Sequence, residues 1–158
     1  MSDTSRIEDA PPPFRSLMPL TRLSAAALDE AFARGRAKDP PRGPTAGICL
    51  VAPGTPLSVP LAWFCRLFWR GKIFSASDDT ALNRITVFDL AAIPMTTRID
   101  TSSVDGRPCL VIDYAPLGAI GRRIHDEVRE IEPGVFLGIM LIAGRPILKF
   151  ALLGPGRT

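Results

Sequence analysis

The chain of 158 residues has one histidine, one tyrosine, two tryptophans and three cysteines. With His125 alone, the multi-histidine sites of zinc hydrolases are excluded. Cys49, Cys65 and Cys109 are odd in number and widely spaced. They form neither a CxxC pair nor a Cys/His cluster, so no closed zinc site or disulfide framework is expected. Each lies among apolar neighbours, which predicts free thiols, mostly buried, in a reducing cytoplasm. There is no Gly-x-Ser-x-Gly elbow, so a hydrolase triad through His125 is not expected. Phosphate-loop and dinucleotide fingerprints are missing too, and nothing calls for a cofactor or a metal. The acids and histidine of "HDE" alternate faces on a strand and cannot all reach one ion. No apolar run approaches the ~20 residues of a membrane span. The opening "MSDTSRIEDAPPPF" is too polar for a secretory signal. Only Lys38, Lys72 and Lys149 are lysines, and the arginines are scattered. A formal charge of +3 without a concentrated basic face does not read as a nucleic-acid binder.

Hydrophobic residues make up 46% and charged residues 22%, the balance of an ordinary globular domain. Residues 1–20 are proline-rich with few apolar anchors and are expected to form a disordered tail. Residues 21–158 are expected to form one domain. "LSAAALDEAFARG" predicts a helix, with Ser24 as N-cap, Gly35 after its end, and Leu28, Ala31 and Phe32 on one stripe. A short helix is expected near 60–68, with Pro60 at its first position and Leu61, Phe64, Cys65 and Phe68 sharing a face. The rest reads as short strands: "TAGICLVA", "RGKIFSAS", "NRITVFDL", "TTRIDTSS", "CLVIDYA", "IHDEVREI", "VFLGIMLIA" and "ILKFALLG". Their connectors are turn chemistry. "VDGRP" carries the Asp105-Gly106 signature of a tight hairpin, and "EPGV" and "AGRP" are as short. Tight turns join antiparallel neighbours. The expected fold is therefore mainly β, an antiparallel barrel of about seven to nine strands with the first helix outside it or across one end.

Two strands are apolar on both faces. In "VFLGIMLIA", Val135, Leu137, Ile139 and Leu141 oppose Phe136, Gly138, Met140 and Ile142. Something must cover the outer face, either the helix or a homodimer partner. "IHDEVREI" is apolar on neither. If His125, Glu127 and Arg129 point inward, they line a cavity beside Asp113 or Tyr114. If they point outward, they form a solvated ladder of charges. Adjacent Ile131 extends their set toward the core, which favours the inward placement, with Glu127 and Arg129 inside and His125 near the mouth. A buried Arg129 then requires a carboxylate.

"FWRGKIF", "NRITVF", "VDGRPCLVIDY" and "HDEVREIEPGVFLGIML", in that order, resemble a group of small bacterial proteins with a lipocalin-like barrel, most without assigned function. The shared residues are Trp69, Gly71 and Lys72; Asp105, Gly106, Asp113 and Tyr114; and Asp126, Glu127, Arg129, Pro133, Gly134 and Gly138. His125 stands where the group carries Arg. The resemblance spans about residues 24–153 and implies a barrel with a pocket for an apolar small molecule.

Three functions compete. The first is binding of a hydrophobic molecule, such as a fatty acyl, terpenoid or polyketide-like compound. Trp69, Trp63, Phe74 and Tyr114 would supply the wall, and Arg129 or Lys72 would anchor a carboxylate or carbonyl oxygen. The second is a cofactor-independent isomerase, cyclase or lyase. There His125, Glu127 or Asp113 would move a proton and Arg129 would stabilise developing charge. The third is a protein-interaction module using apolar outer strands.

Overall fold

The structure, a computed structural model, describes residues 16–85 and 90–155. Among these residues, nine antiparallel strands form a nearly closed barrel with two α-helices outside it. The strands are β1 (Gly43–Pro44), β2 (Ala46–Leu50), β3 (Trp69–Phe74), β4 (Thr80–Ile85), β5 (Leu90–Thr101), β6 (Pro108–Asp113), β7 (Ile124–Glu132), β8 (Val135–Ile142) and β9 (Arg145–Leu153). From β3 to β9 each strand pairs with the next as a meander. Closure falls to residues 43–50. Their first part pairs with β3 as β1, and the rest pairs with β9 as β2. The switch is at Thr45, whose N–H and hydroxyl both donate to the carbonyl of Lys72 at 2.8 Å. Gly71 permits this crossing. A Cβ there would overlap the Thr45 carbonyl, and its φ of +132° suits only glycine.

Alternation sorts each strand into an inner and an outer face. Leu110, Ile112, Tyr114, Val128, Phe136, Phe150 and Leu152 pack inside the barrel with Phe74 and Met95. Ile48, Leu50, Leu137, Ile139, Leu141, Ala151 and Leu153 form a second core outside it. That outer layer is covered by α1 (Ala25–Arg34), α2 (Ser58–Cys65) and a 3-10 turn, Met18–Arg22. The two-sided apolar strands are thus explained by the chain's own helices. Ser24 caps α1 by accepting from the N–H of Ala27 at 3.1 Å, and Leu28 and Phe32 bury its apolar stripe at roughly 2 kcal/mol each.

Four expectations need correction. The tail to residue 20 falls mostly outside the described residues, but Leu17 and Met18 are fully buried in the outer core. The short helix starts at Ser58, which puts Pro60 at its third position, and its buried face is Ser58, Val59 and Ala62, with Phe64 left exposed. This helix is apolar all round, so spacing could not choose its buried face. "NRITVFDL" divides between two strands, since Ile85 of β4 pairs antiparallel with Leu90 of β5. The Asp105-Gly106 turn is wider than a two-residue hairpin, because Thr101 and Pro108 are the last paired residues. Ala143-Gly144, by contrast, is the tight kind, with φ of 51° and 77° between paired Ile142 and Arg145.

The cysteines are free, with Cys49 and Cys109 buried and Cys65 partly so. Burial pushes the thiols of Cys49 and Cys109 up to about 12. A thiol reagent is expected to label Cys65 first and the other two only slowly in native buffer, with all three fast in denaturant. Rapid native labelling of Cys109 would contradict this packing.

Gly138 on β8 faces the ring of Phe150, which a Cβ would overlap. Gly138→Ala is expected to cost about 2 kcal/mol by overpacking, read from urea unfolding midpoints.

Candidate functional site

One end of the barrel interior holds a cavity of about 310 Å³. Its walls are Trp69, Ile93, Ile124, Met140, Leu148 and Phe150, with Leu117 at the rim. Four polar side chains reach it: Lys72, Asn83, Tyr114 and Asp126. Each comes from a different strand or strand end, and the inward parity of β3, β4, β6 and β7 brings them together.

Lys72 is the centre of this group and is 1% exposed. Its ammonium donates to Asn83 Oδ1 at 2.9 Å and to the Tyr114 hydroxyl at 2.9 Å, and it pairs with Asp126 Oδ2 at 3.0 Å. The rings of Trp69, Tyr114 and Phe150 surround it with centroids at 5.9, 5.2 and 5.5 Å. The Tyr114 hydroxyl donates onward to Asp126 Oδ2 at 3.0 Å, and Trp69 Nε1 donates to Asn83 Oδ1 at 3.1 Å. Burial alone would favour the neutral amine, but Asp126 and Tyr114 outweigh it and raise the Lys72 pKa above its ordinary value. Burial likewise raises that of Tyr114, which stays a neutral phenol.

The other oxygen of Asp126, Oδ1, is buried and has no hydrogen-bond partner among the described residues. Asp126, a cavity-lining residue, thus keeps one unpaired acceptor oxygen, and the cluster's cation is already neutralised. Ile93 forms part of the wall with φ of +61°, a rare conformation for a β-branched residue, just before Pro94 where the β4–β5 register shifts.

Of the residues singled out from the sequence, Lys72, Tyr114 and Trp69 meet at this cavity. The others lie elsewhere. His125, Glu127 and Arg129 occupy the outer face of β7, so their expected inward placement is reversed. The inward set is Ile124, Asp126 and Val128. Glu127 and Arg129 of this outer set are nevertheless buried, because α1 and the β5–β6 loop cover them, while His125 is partly exposed. Glu127 accepts from the Ser103 N–H at 2.7 Å and from the Ser102 hydroxyl, and His125 Nε2 lies 3.2 Å from its Oε1.

Arg129 uses all five of its N–H groups. Two go to the carboxylate oxygens of Asp105 at 2.6 and 2.7 Å, and the others to the carbonyls of Phe32, Arg107 and Pro108 at 3.0–3.1 Å. Its guanidinium also stacks 4.5 Å from the Phe32 ring centroid. It holds α1 and the hairpin loop onto the barrel. Asp113 also faces outward, pairing with Arg98 at 3.1 Å and capping the N–H of Ala115 at 2.8 Å. Trp63 packs from α2 against the outer core, and Phe74 fills the interior away from the cavity wall. Among the described residues, no group of three or more His, Cys, Asp or Glu could hold a metal ion.

The outer carboxylates give a pH dependence. The hydrogen bond from Arg129 holds Asp105 well below the usual carboxylate range. Burial pushes Glu127 and Glu130 up, but hydrogen bonds to Glu127 from Ser102 and Ser103, and to Glu130 from Gly134 and Lys38, bring both below it. Depressed pKa values stabilise the fold above the unfolded carboxylate value and lose that contribution as pH falls. Urea midpoints are expected to be flat near neutrality and to drop steadily below about pH 4. Constant stability down to about pH 2 would show that these bonds contribute nothing.

No family model and no curated protein matches the chain. A solved crystal structure of a protein from Thermomonospora curvata does. It has 18% identity over 98% of this chain and 99% of its own, with a TM-score of 0.57. The likeness shows the fold alone. In that shared barrel, the polar cluster and cavity described above must be read from this chain's own residues. Among those described, no helix is long and apolar enough to cross a membrane.

Proposed function

We propose that this protein is a lipocalin-like binding protein whose barrel cavity takes up an apolar small molecule bearing a hydroxyl or amine. The observation that carries this reading is the unpartnered Asp126 Oδ1 at a cavity whose walls are mostly apolar. A cavity of about 310 Å³ is at the lower end of the roughly 300–1,000 Å³ typical of small-molecule sites. Burial of hydrocarbon supplies affinity at ~25 cal/mol per Å². A donor on the ligand then satisfies the buried oxygen, whereas a bare hydrocarbon leaves it unpaired. A fatty acid is disfavoured, because Lys72 is committed to Asp126 and a second carboxylate would face the first. A terpenoid or polyketide-like alcohol fits better.

The test is calorimetric titration with a medium-chain primary alcohol. Wild type should bind it, and Met140→Trp, which fills the cavity from the β8 wall, should lose binding while keeping the barrel's circular dichroism. Equal binding by both would move the ligand out of this cavity.

A second reading rests on the same oxygen. An unpartnered carboxylate oxygen beside a neutral phenol can take a proton from bound substrate, giving a cofactor-independent isomerase or lyase. The groups would be Asp126 and Tyr114, in place of His125, Glu127 and Asp113. Turnover lost in Asp126→Asn with affinity retained would favour this reading over simple binding.

A further inference from the structure

The cavity end of the barrel differs from the rest of the surface in both charge and polarity. It is ringed by the β2–α2–β3 connection, the β6–β7 link and the β8–β9 turn. Residues 51–71, 114–124 and 142–148 contain Arg66, Arg70, Arg122, Arg123 and Arg145 and no Asp or Glu, and Asp113 at the end of β6 is paired with Arg98. The fourth connection, 86–89, lies outside the described residues and adds Asp89 in sequence. Arg122, Arg123 and Arg145 are exposed. The opposite end mixes the two signs, with Asp78 beside Arg42 and Asp105 beside Arg107.

Apolar exposure follows the same polarity. Of the twelve large hydrophobic side chains exposed among the described residues, eight lie in these three segments, Leu57 before α2 among them. Phe64 comes from the end of α2, and Leu67 and Phe68 come from the α2–β3 connection, with Phe68 57% exposed. Ile120 at 77% and Leu117 come from the β6–β7 link, and Ile147 at 59% and Ile142 flank the β8–β9 turn. Leu117 is itself part of the cavity rim. A patch of this kind marks an interaction site.

We infer that this apolar, arginine-studded mouth docks on the surface of an anionic lipid bilayer. Exposed Ile, Leu and Phe side chains would enter the headgroup region while the arginines meet lipid phosphates. A second copy of the chain is disfavoured, because isologous contact would set like charges against each other. Of the exposed side chains at this end only Phe64 and Phe68 could stack on a nucleobase, and the rest are aliphatic, which suits lipid better than nucleic acid. The surface stands apart from the cavity's ligand, because vesicle binding is read with no ligand added.

The test is cosedimentation of the full chain with phosphatidylglycerol-containing vesicles and with pure phosphatidylcholine vesicles. Binding is expected to the former, to weaken with salt, and to be marginal to the latter. Replacing Arg122, Arg123 and Arg145 by Gln should lower partitioning on the order of a hundredfold, about fivefold for each. Ile120→Ser with Ile147→Ser should weaken it too, and both variants should keep the wild-type melting temperature, since all five side chains are exposed. No binding to anionic vesicles, equal binding to both kinds, or unchanged binding by the arginine variant would overturn the inference. So would a stable dimer in light scattering that the isoleucine variant dissolves.

Discussion

Lys72→Met is expected to destabilise the fold by about 3–5 kcal/mol, because it strands the Asp126 carboxylate in an apolar interior. The methionine fits the volume, so the loss is electrostatic. Lys72 and Asp126 are each 1% exposed, and water cannot replace the missing partner without entering the cavity. The double variant Lys72→Met/Asp126→Leu removes both charges and should recover most of the loss. Urea unfolding of the two single variants and the double variant gives the coupling directly. A single-variant loss below about 1 kcal/mol would mean that the pair is hydrated and the cavity is not apolar.

Arg129→Met is the second large effect, at about 3 kcal/mol. It leaves the carbonyls of Phe32, Arg107 and Pro108 without their donor and Asp105 without its bidentate partner. Asp105 keeps 24% of its side chain in water, which moderates the cost. Arg129→Lys should restore little, since one ammonium cannot replace five divergent N–H groups. The diagnostic contrast is with binding. Arg129 lies outside the barrel wall, so the folded fraction of Arg129→Met should bind an aliphatic alcohol as wild type does. Glu127→Gln should behave likewise, with a smaller stability loss. Loss of binding in folded Arg129→Met would place the functional site on the outer face of β7.

The contrast between these two buried cations shows what the sequence could convey. Strand alternation and turn chemistry were enough for an antiparallel barrel, because tight connectors permit little else. They also separated the two faces of β8 and pointed to a cover. They could not orient β7. Ile124, Asp126, Val128 and His125, Glu127, Arg129 each mix charge with apolar or aromatic character. The choice between them depends on register with β6, where Asp126 pairs with Ile112. A carboxylate between Ile124 and Val128, on a face matching Leu110, Ile112 and Tyr114, was the available signal. Lys72, Tyr114 and Trp69 were legible as polar or aromatic tips on apolar strands. Asn83 was not, because an asparagine in "NRITVF" looks like a strand boundary. Asp105 was hidden by its own turn motif. Asp-Gly reads as a hairpin, yet the hairpin is widened and the aspartate reaches Arg129.

The central claim is that the cavity recognises a donor on an apolar body through Asp126. Competitive calorimetry with an alcohol, an amine, a carboxylic acid and an alkane of one chain length tests it most directly. The expected order has the alcohol and amine tightest, by on the order of tenfold over the alkane, and the acid weakest. Tightest binding by the carboxylic acid, or no discrimination among the four, would contradict it.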